Sequence, residues 1–559
     1  MFKKILVANR GEIAVRIIRT AREMGIATVA VYSDADRDAL HVSLADEAYR
    51  IGPAAATQSY LDAQRLIDAA QSSQAEAIHP GYGFLAENAG FARRVVAEGL
   101  VWIGPHADAI EAMGDKLRAR RAMQEAHVPF VPGSTEAIAD VSAAREAAHQ
   151  YGLPLALKAA AGGGGKGLKV ARSLDEINAA FETARREAEA YFKDGTIYAE
   201  RYLENPKHIE LQLLADKHGN VIHVGERDCS LQRRHQKLWE EAPGEVPERV
   251  RETLREAGLR AARTIGYDSA GTIECLVAGD AFYFLEMNTR IQVEHTVTEM
   301  ITGLDLVREQ IRIAAGEPLG YSQREVGFRG YAIEARVNAE DPAHAFRPSP
   351  GTIAAYREPG GPGVRMDSAA YPGSQIPPEY DSLIAKLVVW APTRERVIAR
   401  LRRAIDEYVV EGVPTTLGLL RALCDQPSVI EGSYGTATLE AFAATLQPAA
   451  RDGVAPRRPS VAAARKAGER RTAPRLATLR RGAASAGGSA VLSPMHGSIV
   501  ELRAAAGDRV NEGDVVAIIE AMKMMNEIRA HKDGVVATIH VTPGTTIEAG
   551  SALMTLAAP

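Results

Sequence analysis

Residues 448–490 cannot join a hydrophobic core, and that fact divides the chain. The segment is built from Ala, Arg, Pro, Ser and Gly with almost no large apolar residues. It carries nine Arg and Lys466 against Asp452 and Glu469, a local charge of +8 in a chain of formal charge -5, so the remainder carries -13. Such a stretch buries too little surface to offset its ordering entropy, and it reads as a flexible basic linker. The competing reading is a basic arm for nucleic acid, but the segment lacks the interleaved aromatics on which bases stack. The acidic balance of the whole chain also argues against a nucleic-acid partner. Cys229, Cys275 and Cys424 stand far apart without a CxxC pair, which excludes a disulfide scaffold and a structural zinc site. That cysteine usage suits the cytoplasm. No apolar run nears the ~20 residues that span a bilayer, so no membrane association is expected.

Upstream of the linker, 447 residues leave room for several domains. Residues 4–8 and 27–32 read as strands. Residues 13–24 read as a helix with Ile13, Ile17 and Met24 on one face. This βαβ opening implies a parallel sheet. Downstream, residues 491–559 show short β-rich runs and repeat themselves. Gly497, Gly507 and Gly513 recur 37 residues later as Gly534, Gly544 and Gly550. Two copies of one β unit predict a pseudo-two-fold sandwich in which each half covers the other's apolar face. Between the halves lies Glu520-Ala521-Met522-Lys523-Met524-Met525, which places Lys523 at an exposed hairpin tip.

Two upstream stretches suggest chemistry. Gly162 to Gly165 lie between two apolar strands, where backbone N–H groups can close over polyphosphate. A plain flexible hairpin is the other reading, and the run is not a P-loop because no Lys-Ser/Thr leads into a helix. The second stretch is a hairpin, residues 272–276 and 282–290 around Gly279-Asp280. Alternation puts Glu286, Asn288 and, if the strand continues, Arg290 on one face. Two carboxylates and an amide oxygen suit Mg²⁺. For Glu274 to face Glu286 across this hairpin, the pairing needs an odd-numbered loop, most simply three residues.

At these residues a resemblance becomes specific. The Ala-Met-Lys-Met setting of Lys523 resembles the biotin attachment site of biotin carboxyl carrier domains; lipoyl domains share the fold but usually place an acidic residue before the lysine. The first 447 residues resemble biotin carboxylase, an ATP-grasp enzyme, from end to end. The matching motifs are Asn9-Arg10-Gly11-Glu12-Ile13-Ala14, His79-Pro80-Gly81-Tyr82-Gly83-Phe84-Leu85, Met113-Gly114-Asp115-Lys116, the glycine run, Glu226-Arg227-Asp228-Cys229-Ser230, and residues 286–295.

The resemblance implies an α/β fold. Its parts would be an N-terminal βαβ domain (residues 1–114), an ATP-grasp domain with its lid (115–330), a C-terminal part (331–447), the linker (448–490) and an all-β biotinyl domain (491–559). It implies that Lys116, Lys158 and His208 contact ATP, with Gly164 and Gly165 over the phosphates and His235 near the nucleotide. Adenine would sit against Glu200, Arg201, Tyr202 and Leu203. Glu274, Glu286 and Asn288 would hold Mg²⁺ (or Mn²⁺). Lys237, Arg290, Gln292 and Val293 would surround bicarbonate, Glu294 would be its base, and Arg336 would face biotin carried on Lys523.

The reading that follows is a biotin carboxylase fused to its carrier, one subunit of an acyl-CoA carboxylase. The alternative is the equivalent subunit of a two-subunit pyruvate or 2-oxo acid carboxylase. Thr296 after His295 bears weakly on that choice, since many acyl-CoA carboxylases have Pro there and many pyruvate carboxylases Thr. A carrier scaffold with a dead ATP site is a third possibility, opposed by the intact set of charged residues. The expected partners are a carboxyltransferase subunit, a biotin protein ligase and a second copy of the carboxylase part as a homodimer. No stretch is left over for a carboxyltransferase.

Overall fold

A computed structural model describes residues 1–160, 167–234, 236–445, 489–522 and 524–557. Gly164, Gly165, His235, Lys523 and all but the last two residues of the expected linker lie outside the described residues. One compact unit comprises Met1–Pro342 with Ser349–Thr445, and a second contains residues 489–557. Among the described residues no helix is long and apolar enough to cross a membrane.

The first unit opens with the expected βαβ pattern. Strands β1 (Lys4–Val7), β2 (Ala27–Ser33), β3 (Glu47–Gly52), β4 (Ala77–His79) and β5 (Val101–Trp102) form a wholly parallel sheet in the order β3-β2-β1-β4-β5. Helix α1 (Gly11–Glu23) buries Ile13, Ile17 and Ile18 against β1 residues Ile5 and Val7. After α2 (Lys116–Glu125), which Asp115 caps by accepting from the amides of Leu117 and Arg118, the chain makes a separate three-stranded sheet. It consists of β6 (Leu155–Ala159), β7 (Leu168–Ala171) and β8 (Ile197–Arg201), in the order β7-β6-β8. The glycine run joins β6 to β7, and these two strands pair antiparallel.

The floor of the unit is an eight-stranded antiparallel sheet. Its strands are β9 (Lys207–Ala215), β10 (Val221–Arg233), β11 (Gln236–Ala242), β12 (Ala270–Ala278), β13 (Ala281–Asn288), β14 (Tyr331–Asn338), β15 (Val364–Ser368) and β16 (Leu383–Ala391). Their order is β13-β12-β9-β10-β11-β14-β16-β15. One face of β9, carrying Ile209, Leu211 and Leu213, packs on helix α3 (Glu248–Thr264) through Leu254, Ala257 and Ala261. The helix lies so close that a Cβ on Gly258 would stand 2.3 Å from a Leu211 methyl. With that face sealed by apolar packing, the alternate residues His208, Glu210 and Gln212 must face the other way.

The second unit realises the repeat. Strands β17 (Ala490–Leu492), β18 (Gly497–Leu502), β19 (Arg509–Val510), β20 (Val515–Ala521), β21 (Met524–Arg529), β22 (Gly534–Ile539), β23 (Thr546–Ile547) and β24 (Ala552–Ala557) form two sheets. Their orders, β17-β24-β22-β19 and β21-β20-β18-β23, interconvert under the 37-residue shift. The irregularities repeat as well: a bulge between Ile499 and Glu501 recurs between Val536 and Thr538. A Cβ on Gly497 would meet the Glu520 carbonyl at 2.6 Å, and one on Gly534 would meet the Ala557 carbonyl at 2.7 Å. Each half thus needs its glycine for the same close strand approach. Ala521 pairs with Met524, and Met522, which follows Ala521, is buried.

Candidate active site

The polar face of the eight-stranded sheet gathers charges that no apolar sheet would tolerate. Lys237 on β11 is central. Its ammonium donates to Glu210, to Glu274 Oε1 at 3.0 Å and to Glu294 Oε1 at 2.7 Å. Burial would discharge it, but the three carboxylates hold its pKa well above the usual lysine value. Glu294 is pinned from its other side by Arg336 on β14, whose Nη2 lies 2.9 Å from Oε2. Burial and Glu210 push the Glu294 carboxyl up; Lys237, Arg336 and Arg227 outweigh them and hold it below the usual range. Glu294 is therefore a carboxylate at neutral pH, held between two cations.

Glu274 and Glu286 do face each other, by a route the sequence reading did not foresee. The β12–β13 loop is the two-residue turn Gly279-Asp280, with Ala278 opposite Ala281, so the expected three-residue loop is wrong. A two-residue turn alone would put the carboxylates on opposite faces. The register shifts between Glu274 and Cys275, however, and Leu285 drops out of the pairing as a bulge. Glu274 then lies directly opposite Glu286, and Thr272 opposite Asn288. The strand ends at Asn288, so Arg290 does not continue it; Arg290 Nη2 still reaches Asn288 Oδ1 at 3.0 Å, while its Nε holds Glu87 at 2.8 Å.

The two carboxylates differ in their surroundings. Glu274 Oε1 accepts from Lys237, from Asn288 Nδ2 at 2.8 Å and from Gln292 Nε2 at 2.7 Å. Its Oε2 lies 3.0 Å from His208 Nε2. Burial favours the neutral form of His208, but Glu274 and Glu210 win and push the imidazole up to about 9. Glu286 has no hydrogen bond or ion pair among the described residues. Burial and the adjacent Glu274 raise its pKa, and Lys116 only partly offsets them. A carboxylate pair with one member only partly offset by a cation, beside an amide oxygen, is a donor set that fits a hard divalent cation.

Of the nucleotide residues of the sequence reading, those described besides His208 lie on the small sheet, in the chain just after it and at the start of α2. Lys158 on β6 and Arg120 on α2 both pair with Glu200 on β8, the second at 2.9 Å. Lys116 at the start of α2 feels Glu286, Lys158, Glu200 and Glu274 together, and burial pulls its pKa down. Arg201 is the last residue of β8; the Arg201 and Tyr202 amides donate to the carbonyls of Pro132 and Pro154, each at 2.8 Å, and Leu203 follows. Gln292 and Val293 lie in the irregular link between β13 and helix α4 (His295–Thr302).

Several working residues escaped the sequence reading. Glu210 bridges Lys237 and Arg227. Arg227, fully buried, also donates to Gln212, Thr272, Gln292 and Thr298. Glu240 receives Arg336 Nε at 2.6 Å, and burial lifts its carboxyl to about 7. The signal for Glu210 was present: His208, Glu210 and Gln212 alternate with large apolar residues, a polar row on a strand buried on both faces.

An eight-stranded antiparallel floor whose polar face gathers buried Lys237, Arg336, Glu274 and Glu294, together with a separate three-stranded sheet, is the architecture of an ATP-grasp ligase. The chain matches the biotin carboxylase N-terminal domain over residues 1–110, the carbamoyl-phosphate synthase L chain ATP binding domain over 115–322, the biotin carboxylase C-terminal domain over 334–441, and a domain of biotin-requiring enzymes over 489–556. It is 51% identical to biotin carboxylase 1 of Bacillus subtilis, over 79% of this chain and 99% of that protein. It is 43% identical to the biotin-dependent acyl-coenzyme A carboxylase alpha3 subunit of Mycobacterium leprae, over 98% of each chain. The crystal structure of the biotin carboxylase domain dimer of Hydrogenobacter thermophilus 2-oxoglutarate carboxylase, in complex with MgADP, ADP and bicarbonate, superposes with a TM-score of 0.76. That likeness comes at 52% identity and covers 79% of this chain and 98% of the other. The protein belongs to the biotin carboxylase family and continues into a biotin carrier domain.

Proposed function

We propose that this protein carboxylates biotin on its own Lys523 at the expense of ATP, taking carbon from bicarbonate, as the carboxylase and carrier subunit of an acyl-CoA carboxylase. The observation that carries the reading is Glu294 held between Lys237 at 2.7 Å and Arg336 at 2.9 Å, with Glu274 against the same lysine at 3.0 Å. A base, two permanent cations and a cation-binding pair converge on one small space.

In this reading Lys116, Lys158 and His208 bind ATP, with Gly164 and Gly165 over its phosphates, His235 near the nucleotide and residues 200–203 against adenine. Glu274, Glu286 and Asn288 would hold one or two Mg²⁺ ions, whose charge would offset that building on the transferring phosphoryl group. Lys237, Arg290, Gln292 and Val293 hold bicarbonate so that its oxygen attacks the terminal phosphorus of ATP, the bond from that phosphorus to the β-phosphate oxygen breaks and ADP leaves, and Glu294 takes the bicarbonate proton. The mixed anhydride so formed hydrolyses in water, which gives the glycine-bearing hairpin a reason to close. Arg336 then presents to the biotin ureido group a cation that never loses its proton.

We place the boundaries at 114, 330, 447 and 490, with residues 448–490 as the tether. A coil of forty-three residues would span roughly 36 Å and would hold a carrier at roughly millimolar effective concentration near two active sites. A carboxyltransferase subunit, a biotin protein ligase and a homodimeric carboxylase part in the cytoplasm complete the reading. The acyl-CoA acceptor is favoured over a 2-oxo acid because the likeness to the acyl-coenzyme A carboxylase alpha3 subunit runs through the carrier.

The test is ADP release from the purified chain with ATP, Mg²⁺, bicarbonate and free biotin. ADP release that depends on bicarbonate and rises with free biotin, above the slow background with ATP and Mg²⁺ alone, supports the reading. No bicarbonate-dependent ADP would make the chain a carrier scaffold with a dead ATP site.

A further inference from the structure

The link from Asn288 to His295 carries Arg290, Gln292, Val293 and Glu294, yet belongs to no strand or helix. Its carbonyls are anchored one by one. Arg290 Nη1 holds the Ile291 carbonyl at 3.2 Å, His295 Nδ1 lies 2.7 Å from that of Gln292, and the Val297 amide donates to that of Glu294 at 3.3 Å. The Val293 carbonyl takes its hydrogen bond from Lys386, whose Nζ lies 2.9 Å away.

Lys386 is fully buried on β16, directly opposite Arg336 on β14 and Asp367 on β15. Its ammonium lies 3.2 Å from Glu12 Oε2, on α1, and 3.8 Å from Asp367 Oδ2. Glu12 in turn accepts from the Tyr82 hydroxyl. One cation therefore ties the parallel sheet's first helix and the last strands of the floor to the loop between β13 and α4.

We propose that Lys386 is a positioning residue for bicarbonate, fixing the Val293 carbonyl and, through it, the Glu294 end of the loop. The step follows from peptide planarity: the Val293 carbonyl and the Glu294 N–H are one rigid unit, so pinning the oxygen sets where the Glu294 side chain begins. A lysine serving only to neutralise Glu12 and Asp367 would have no need to aim at this carbonyl. The inference rests on the reading that residues 292–294 hold and deprotonate bicarbonate.

The test is Lys386→Met in the full chain, assayed by bicarbonate-dependent ADP release with free biotin. The KM for bicarbonate should rise at least about tenfold, while the KM for ATP and the slow bicarbonate-independent ADP release stay within about twofold. Lys386→Arg, which keeps a donor and the charge, should recover part of the loss. If Lys386→Met does not fold, the charge-balanced Lys386→Met/Glu12→Gln variant carries the test under the same criteria. Unchanged bicarbonate kinetics, equal losses for ATP and bicarbonate, or failure of both variants to fold would each reduce Lys386 to a structural ion pair and overturn the proposal. A wild-type chain without bicarbonate-dependent turnover would instead contradict the proposed function.

Discussion

Glu274 and Glu286 stand directly opposite one another on adjacent strands only because Leu285 is left out of the pairing. The bulge brings two carboxylates together without a full complement of counter-charge. Burial and Glu274 raise the Glu286 pKa, so the folded chain binds that proton more tightly than the unfolded chain. Ionised Glu286 therefore costs the metal-free protein stability at every pH above its folded pKa, and the cost fades as pH falls towards its unfolded value. Glu286→Gln should leave the metal-free melting temperature unchanged or slightly raised. The same variant should lower kcat/KM for Mg·ATP about 10²-fold, about 2.7 kcal/mol of lost transition-state stabilisation. A large fall in metal-free stability would show that Glu286 is structural.

The bulge also marks how far sequence can be read. The need for one extra residue between the carboxylates followed from parity, but its position did not. Gly279-Asp280 is a two-residue hairpin signal, and Leu285 looks like any other apolar residue on the strand. The 37-residue repeat foretold the carrier sandwich down to its glycines, because glycine at a close strand approach leaves a visible mark. The βαβ opening was equally plain from its apolar spacing. Glu240 was not: it works because β11 pairs with β14, setting Glu240 beside Glu334 and near Arg336, and such long-range register has no local signature.

Arg336 offers a sharper division between binding and chemistry. Arg336→Ala should leave the KM for ATP within about threefold while cutting biotin carboxylation about 10³-fold, since its charge serves Glu294 and, in the proposed reading, biotin, but not ATP binding. Because Arg336 also holds Glu240 at 2.6 Å and Glu294 at 2.9 Å, the variant should lose stability too, by about 3–5 kcal/mol. Loss of ATP affinity in parallel with carboxylation would make the role structural.

Buried histidines set the acid limit. His41 and His79 are fully buried, and burial pulls their pKa values down from 6.5, to about 4 and about 3 respectively. The unfolded chain takes up these protons below pH 6.5, whereas the folded chain does so only near the depressed values. Their contribution is whole above about pH 6.5 and is lost as pH falls towards 4, at up to about 1.4 kcal/mol per pH unit for each residue. Urea unfolding of the first unit should weaken between pH 6.5 and 5, and His41→Asn should show a shallower slope. Parallel slopes for wild type and variant would contradict this assignment.

The most direct measurement uses the biotinylated full chain with ATP, Mg²⁺ and labelled bicarbonate, offered acetyl-CoA, propionyl-CoA or pyruvate in separate reactions. The account predicts acid-labile label on Lys523-linked biotin, absent from Lys523→Arg, and no labelled small-molecule product. It would be contradicted by a protein that takes up no label, or by labelled malonyl-CoA, methylmalonyl-CoA or oxaloacetate from the pure chain.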